Sequence, residues 1–299
     1  MAEPKWDDLR VFLAVARTES LSRAGKTLRL DPATVGRRVA RLESALEAVL
    51  FMKSPQGYAL TQAGARLVAR AEAIETAMFN AQEDVLGGAE TMTGQIRVGA
   101  PDGCANYLLP QVCASICADN PGLEVQIVAL PRVFNLSKRE ADMAITVSPP
   151  TAGRLTSQKL ADYHLHLMAS RDYLAAAPAL SKLEDLKDHT IIGYISDLIF
   201  DTELDYLSEI GGPRTKFASN SVSVQLNWAR VGSGLVIGHD FALPFAPELT
   251  RVLSDQFSLK RSFYLVRHAD DRNISRLGLF AKELGKRVRQ EVVRLEGRT

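Results

Sequence analysis

Four side chains near the start of the chain recur at helical spacing: Thr34, Arg37, Arg38 and Arg41. At 3.6 residues per turn they form one stripe of a helix. A second stripe of Val35, Val39, Leu42 and Leu46 lies roughly 120° away. Guanidinium groups bond phosphate oxygens and read guanine through paired donors, and a threonine methyl meets thymine. An arginine face backed by an oily face suits a groove of duplex DNA, although such a stripe taken alone also suits a solvated surface. The sequence offers little competing chemistry. The five histidines, His164, His166, His189, His239 and His268, lack zinc-type spacing. No phosphate-cradling glycine loop or nucleophile elbow stands between a strand and a helix. No catalytic residue, metal or cofactor is expected.

The elements that must position the arginines are legible nearby. Asp31 stands at a helix cap and Pro32 at the first helical position. Ser20 caps a shorter helix carrying Leu21, Ala24 and Leu28, so residues 20–46 read as a helix-turn-helix. A helix over 6–17, with Leu9, Phe12, Leu13 and Ala16, packs beneath it. Downstream, Val49-Leu50-Phe51 and Tyr58-Ala59-Leu60 flank Lys53-Ser54-Pro55-Gln56-Gly57, which reads as a small β wing. From Arg17 to Lys53, eight basic residues stand against four acidic ones, in a chain whose net charge is only +1. A positive patch on a chain otherwise net acidic fits a nucleic-acid partner.

A length of 299 residues implies two or three domains, and a 46% hydrophobic share is ordinary for a globular protein. No apolar run of about 18 residues predicts a membrane span. The first residues lack the basic-then-apolar order of a secretion signal, so a cytoplasmic location is expected. Cys104, Cys113 and Cys117 form no disulfide or zinc framework. Cys113 and Cys117 are expected buried on one helix face. Cys104 follows a strand at a helix start, where a thiol pKa falls, which leaves a redox role open.

Residues 62–87 read as one helix about 39 Å long, ended by Gly87-Gly88. Leu67, Ala71, Ile74, Met78, Ala81 and Val85 alternate at three and four residues like a coiled-coil seam, so a dimer contact is expected there. Residues 89–93 read as a hinge. Beyond Gly94 come strands at 95–100, 123–128 and 141–147 and a helix at 106–118. Strand-like stretches recur at 191–194, 234–238 and 262–266, before a last helix at 275–295. This alternation predicts a parallel sheet in an α/β domain.

Leu9 to Ala16, Ser20 to Gly25, Thr34 to Glu43, Leu50-Phe51 and Leu60 to Gly64 resemble, in order and spacing, the DNA-binding domain of LysR-type transcriptional regulators. Gly99 to Gly103, Asn135-Leu136-Ser137, Arg139 to Ile145 and Gly232-Ser233-Gly234 resemble their effector domain. The resemblance implies a winged helix-turn-helix over 1–61, a dimerisation helix and hinge over 62–91, and an effector domain over 92–299. That domain would have two lobes like periplasmic solute-binding proteins, about 92–161 with 267–299, and about 162–266. A small-molecule effector would sit between them in a homodimer or homotetramer on promoter DNA, with no membrane partner. Pro32, Gly36, Glu47 and Met52-Lys53 depart from the family's commonest residues, which shifts expected readout toward Thr34, Arg37 and Arg38. The expected DNA contacts are Pro32, Ala33, Thr34, Arg37, Arg38 and Arg41 from the helix and Lys53, Ser54 and Gln56 from the wing. Lys53 and Ser54 are expected on phosphate.

In parallel sheets, ligands sit beyond the carboxyl ends of strands, where helix starts offer free N–H groups. The expected effector residues are therefore Pro101, Asp102, Gly103 and Cys104, then Thr146, Val147 and Ser148, then Tyr194, then Ser219, Asn220 and Ser221, and His239. Asp102 either caps its own helix or projects into the cleft, where it would disfavour acids and favour a polar or cationic group. A DNA-binding architectural protein whose C-terminal domain only oligomerises is the alternative reading.

Overall fold

The computed structural model describes residues 4–54, 57–85, 92–129, 141–151, 154–211, 214–269 and 275–297. Gln56, the glycine pair at 87–88, and residues 135–140 quoted for the resemblance lie outside them. Internal contacts divide the chain into Met1–Ala89 and Glu90–Thr299.

In the first unit, α1 (Trp6–Thr18), α2 (Leu21–Leu28) and α3 (Pro32–Ala45) precede a hairpin of β1 (Phe51–Ser54) and β2 (Gly57–Leu60), then α4 (Gln62–Val85). The caps fall where the sequence places them. Ser20 Oγ accepts from Arg23 N at 3.4 Å, and Asp31 Oδ1 accepts from Thr34 N at 2.8 Å. Phe12, Leu13, Val15, Ala24, Val35 and Leu42 are sealed in one core. Each large apolar side chain buried there contributes about 1.5–3 kcal/mol. The turn after α2 needs Gly25, because a Cβ there would lie 2.5 Å from the Leu30 carbonyl oxygen. Glu43 Oε1 accepts the N–H groups of Leu50 (2.8 Å) and Phe51 (3.2 Å), which ties α3 to the wing. The seam expected on α4 divides. Ala71 is sealed and Leu67 packs against the unit's own core, so these two do not face outward, while Ile74 and Met78 are exposed. Ala81 is exposed as well, and Val85 ends the described helix.

The second unit opens with β3 (Gly94–Ala100), α5 (Asp102–Tyr107), α6 (Leu109–Asp119), β4 (Leu123–Ala129), β5 (Met143–Thr146) and β6 (Leu155–Ser170). It continues with α7 (Arg171–Ala176), β7 (Ile191–Gly193), β8 (Thr215–Ala218), α8 (Val222–Arg230) and β9 (Leu235–His239). β10 (Leu249–Val252), β11 (Leu259–His268) and α9 (Ser275–Glu296) complete it. Among the described residues the sheet runs β4-β3-β5-β11-β6-β9-β7-β8, with β10 beside β6. β3 lies parallel to β4 and β5, and β7 parallel to β8 and β9. The expected all-parallel order fails at the centre. β11 is antiparallel to both β5 and β6, and β6 is antiparallel to β9. These two long strands link one half of the unit, carrying β3, β4 and β5, to the other, carrying β7, β8 and β9, and replace a helical crossover. The single helix expected at 106–118 is also two, broken at Leu108, because Pro110 lacks an N–H and its ring bars a continuous helix through that point. α9 lays Leu277, Phe280, Ala281, Leu284, Val288 and Val292 into the core at helical spacing. No helix among the described residues is long and apolar enough to cross a membrane.

Candidate nucleic-acid interface and effector cleft

On α3 the four expected side chains part company. Arg37 is exposed, and its Nη2 donates to Thr34 Oγ1 at 2.9 Å. Thr34 in turn hydrogen-bonds Asp31 and holds that carboxyl below its usual pKa. Pro32 and Ala33 are exposed at the same helix start. Arg38 is half-buried, 3.9 Å from Asp7. Arg41 keeps half of its side chain exposed, yet its guanidinium reaches across to α1. Its Nε and Nη2 donate to the two Asp8 oxygens at 2.7 and 2.5 Å, and that carboxylate is almost wholly buried. A paired fork of this kind fixes orientation, so Arg41 braces α3 against α1. Nothing in the spacing of the helix signals this, because the partner lies on α1. Arg17 is likewise engaged, with Glu75 at 2.8 Å. Arg23 and Lys26 of α2, and Arg29 at its end, are exposed as well. In the wing Lys53 is exposed, with Nζ 6.0 Å from the Tyr58 ring centroid, and Ser54 is exposed beside it.

In the second unit the expected effector residues are held mainly by each other and by residues distant in sequence. Pro101 precedes α5, whose first residue, Asp102, does not serve its own helix alone. Its Oδ2 accepts from Ser221 Oγ (3.1 Å), Ser223 N (3.0 Å) and Ser223 Oγ (3.1 Å) at the start of α8. Asp102 Oδ1 accepts from Asn106 Nδ2 at 3.1 Å. On the other strand ends, Thr146 Oγ1 donates to the Ser148 carbonyl at 2.6 Å, and Ser148 Oγ donates to Asp201. Val147 is buried between them. Ser219 Oγ accepts from Ser221 N, and its carbonyl accepts from Gln225 Nε2 at 2.7 Å. Asn220 is half-buried beside them.

His239 ends β9 fully buried. Its ring centroid lies 5.3 Å from that of Tyr163 and 4.8 Å from that of Phe241. Gly103 packs on that ring, since a Cβ there would come within 3.1 Å of Cε1. Burial lowers the imidazole pKa to about 3, so it is neutral at ordinary pH. Tyr194 meets Tyr206 edge-on at 5.8 Å, and burial raises both phenols well above their usual range. Tyr163, Tyr206 and Asp201 were not legible as partners, because each is brought in from a remote segment. The redox role left open for Cys104 is overturned. The thiol is sealed, and burial, with Cys113 adding to it, pushes its pKa far above the usual thiol range. A buried protonated thiol is no nucleophile. Cys113 is also buried, its thiol pushed up to about 12, while Cys117 on the same face is half-buried. Among the described residues no cluster of three or more histidine, cysteine or carboxylate side chains could hold a metal.

Comparison with known proteins covers both units. Residues 6–65 match the model for bacterial regulatory helix-turn-helix proteins of the lysR family, and residues 89–289 match that for the LysR substrate binding domain. The chain is 27% identical over 266 residues to the transcriptional activator TtdR of Escherichia coli, covering 84% of each. It is 27% identical over 290 residues to the transcriptional regulator CrgA of Neisseria meningitidis, covering 93% of this chain and 97% of that one. The solved CrgA structure superposes with a TM-score of 0.59 at 25% identity, over 94% of this chain and 98% of that one. A full-length OxyR variant from Pseudomonas aeruginosa shares the fold with a TM-score of 0.72 at 19% identity, over 96% and 98%. The mixed sheet, the winged helices and these matches along nearly the whole chain have one source: the protein belongs to the LysR family of bacterial transcriptional regulators.

Proposed function

We infer that this LysR-type regulator binds promoter DNA through α3 and the wing, and that a small molecule held by the second unit controls it. The observation that carries the DNA assignment is the division of labour on α3. Val35, Val39 and Leu42 anchor one side, while Arg37 and Thr34 stand together on the other, with no distant partner among the described residues. Arg37 reads a base edge, Arg38 and Lys53 meet phosphate, and Arg41 sets the helix angle through Asp8. Ile74, Met78 and Ala81 of α4 supply a dimer contact. The effector enters between the two halves of the second unit, where β6 and β11 pass from one to the other. The regulator acts in the cytoplasm, where its DNA is, and catalyses no reaction of its own.

The test is a footprint upstream of the protein's own gene, repeated over a range of salt. Each phosphate neutralised contributes a slope of about −0.9 in log affinity against log salt. Protection of a discrete site with a steep slope supports the reading. Binding with no site preference and a flat slope overturns it.

A further inference from the structure

A cavity of about 290 Å³ lies in the half of the second unit that carries β7, β8 and β9, lined by residues between Ile192 and Ile237. Its floor is made of buried side chains: Ile192, Leu204, Ile237 and Gln225, whose amide nitrogen is tied to the Ser219 carbonyl at 2.7 Å. Its mouth carries the exposed residues Ser196, Asp205, Ser208 and Arg214. Asp205 and Arg214 are the charged members of this lining, and among the described residues neither forms an ion pair, with the other or with a third group. Nearby charges behave otherwise. Arg261 of β11 is 16% exposed and engages Glu203 at 2.9 Å and Glu209 at 2.7 Å. Those two glutamates bracket Leu204 to Ser208, five residues that all line the cavity. One guanidinium thus pins this wall at both ends, which makes the cavity preformed and leaves Asp205 as the uncompensated acid of the wall. A free cation and a free anion at one mouth, above an apolar floor, match a molecule with three parts: a carboxylate, an ammonium and an apolar tail. The charged ends stay at the mouth in reach of water, so neither bears the cost of full burial. An acid without an amine leaves Asp205 unanswered, and an amine without an acid leaves Arg214 unanswered.

We propose that the cavity takes a zwitterionic amino acid with an apolar side chain, its carboxylate on Arg214 and its ammonium on Asp205. The inference rests on the second unit being an effector domain, and it names the chemistry of the effector and the half that grips it. Arg214 and Asp205 select the charged head, and the floor of Ile192, Leu204 and Ile237 selects the tail.

The test uses thermal melts of the full-length protein with four probes: L-leucine, L-methionine, L-leucinamide, which lacks the carboxylate, and 4-methylpentanoate, which lacks the ammonium. L-leucine and L-methionine are expected to raise the melting temperature saturably. L-leucinamide and 4-methylpentanoate should bind the wild type about tenfold more weakly than L-leucine, the loss of one charge-assisted contact. Arg214→Gln should cut L-leucine affinity about tenfold and abolish its advantage over L-leucinamide. Asp205→Asn should cut it as much and abolish its advantage over 4-methylpentanoate. Both side chains are exposed and without an ion pair, so each variant should melt like the wild type when no probe is added. Failure of both amino acids to stabilise the wild type, equal affinity for L-leucine and the two single-charge probes, or undiminished L-leucine affinity in either variant would each overturn the proposal. The footprint is run on the same preparations. Charge-selective L-leucine binding without a protected DNA site spares this inference and sinks the regulator reading, whereas a protected site on a protein that ignores both amino acids does the reverse.

Discussion

α3 and the expected effector residues of the second unit use polar side chains in opposite ways. On α3, Thr34 and Arg37 meet each other and solvent, while Arg38 and Arg41 reach Asp7 and Asp8 of α1. In the cleft, Asp102 is bonded to Ser221 and Ser223, and Ser148 to Asp201, across more than fifty residues of sequence. An exposed face can be read by any partner with complementary charge. A sealed one admits only what matches the atoms left unpaired. The difference suits the two tasks: affinity for a long polyanion, and selection among small molecules.

The largest effect should come from acidifying the sealed region. The pKa of His239 is depressed from 6.5 to about 3 in the folded chain, so the unfolded chain takes up the proton first. The stability this confers is fully present above about pH 6.5 and is lost as pH falls toward 3, at up to about 1.4 kcal/mol per pH unit. Denaturation of wild type and His239→Leu between pH 4 and 7 checks this. A pH slope no shallower in the variant would remove His239 from the comparison. Next in size, Leu42→Ala, at a fully sealed position on α3, should cost about 2–5 kcal/mol in denaturant unfolding of the first unit. A smaller loss would mean that the recognition helix is less firmly anchored than the cleft.

Arg37→Ala should leave unfolding unchanged and weaken operator binding by about 1–3 kcal/mol, with relaxed preference at one base position. Arg41→Ala should do the reverse, lowering the melting temperature of the first unit more than its DNA affinity. If the two variants behave alike in gel-shift titrations, the line drawn between reading and bracing on α3 disappears. The smallest effect is expected from Lys53→Ala, which should reduce the salt slope by about one without altering site preference.

What was legible in the sequence was local. The Asp31-Pro32 cap and the buried stripe of Val35, Val39 and Leu42 depend on neighbours within a few turns and stand where spacing puts them, whereas Arg38 and Arg41 pair with α1 and the first wing strand runs over Phe51–Ser54 and not Val49-Leu50-Phe51. The expected parallel sheet failed where pairing is remote. β6 is absent from the expected strands, although Tyr163, Leu165 and Leu167 alternate with His164 and His166, a period of two that marks a strand. β11 was recognised as a strand but given the wrong direction, because direction is set by β5 and β6 and not by its own residues. For the cleft, residue types near strand ends pointed to the right neighbourhood. The bond from Asp102 to α8 could not be read, because the two segments are 119 and 121 residues apart at Ser221 and Ser223.

β6 and β11 pass through both halves of the second unit, paired from Leu155 to Leu165 with one register shift between Phe263 and Tyr264. Any rotation between the halves must therefore flex two hydrogen-bonded ribbons, as one bends a leaf spring, and cannot swing on a loose joint. Such a spring returns by itself. A molecule lodged beside it would set a degree of curvature instead of throwing a catch, and the output at the promoter would be graded with occupancy.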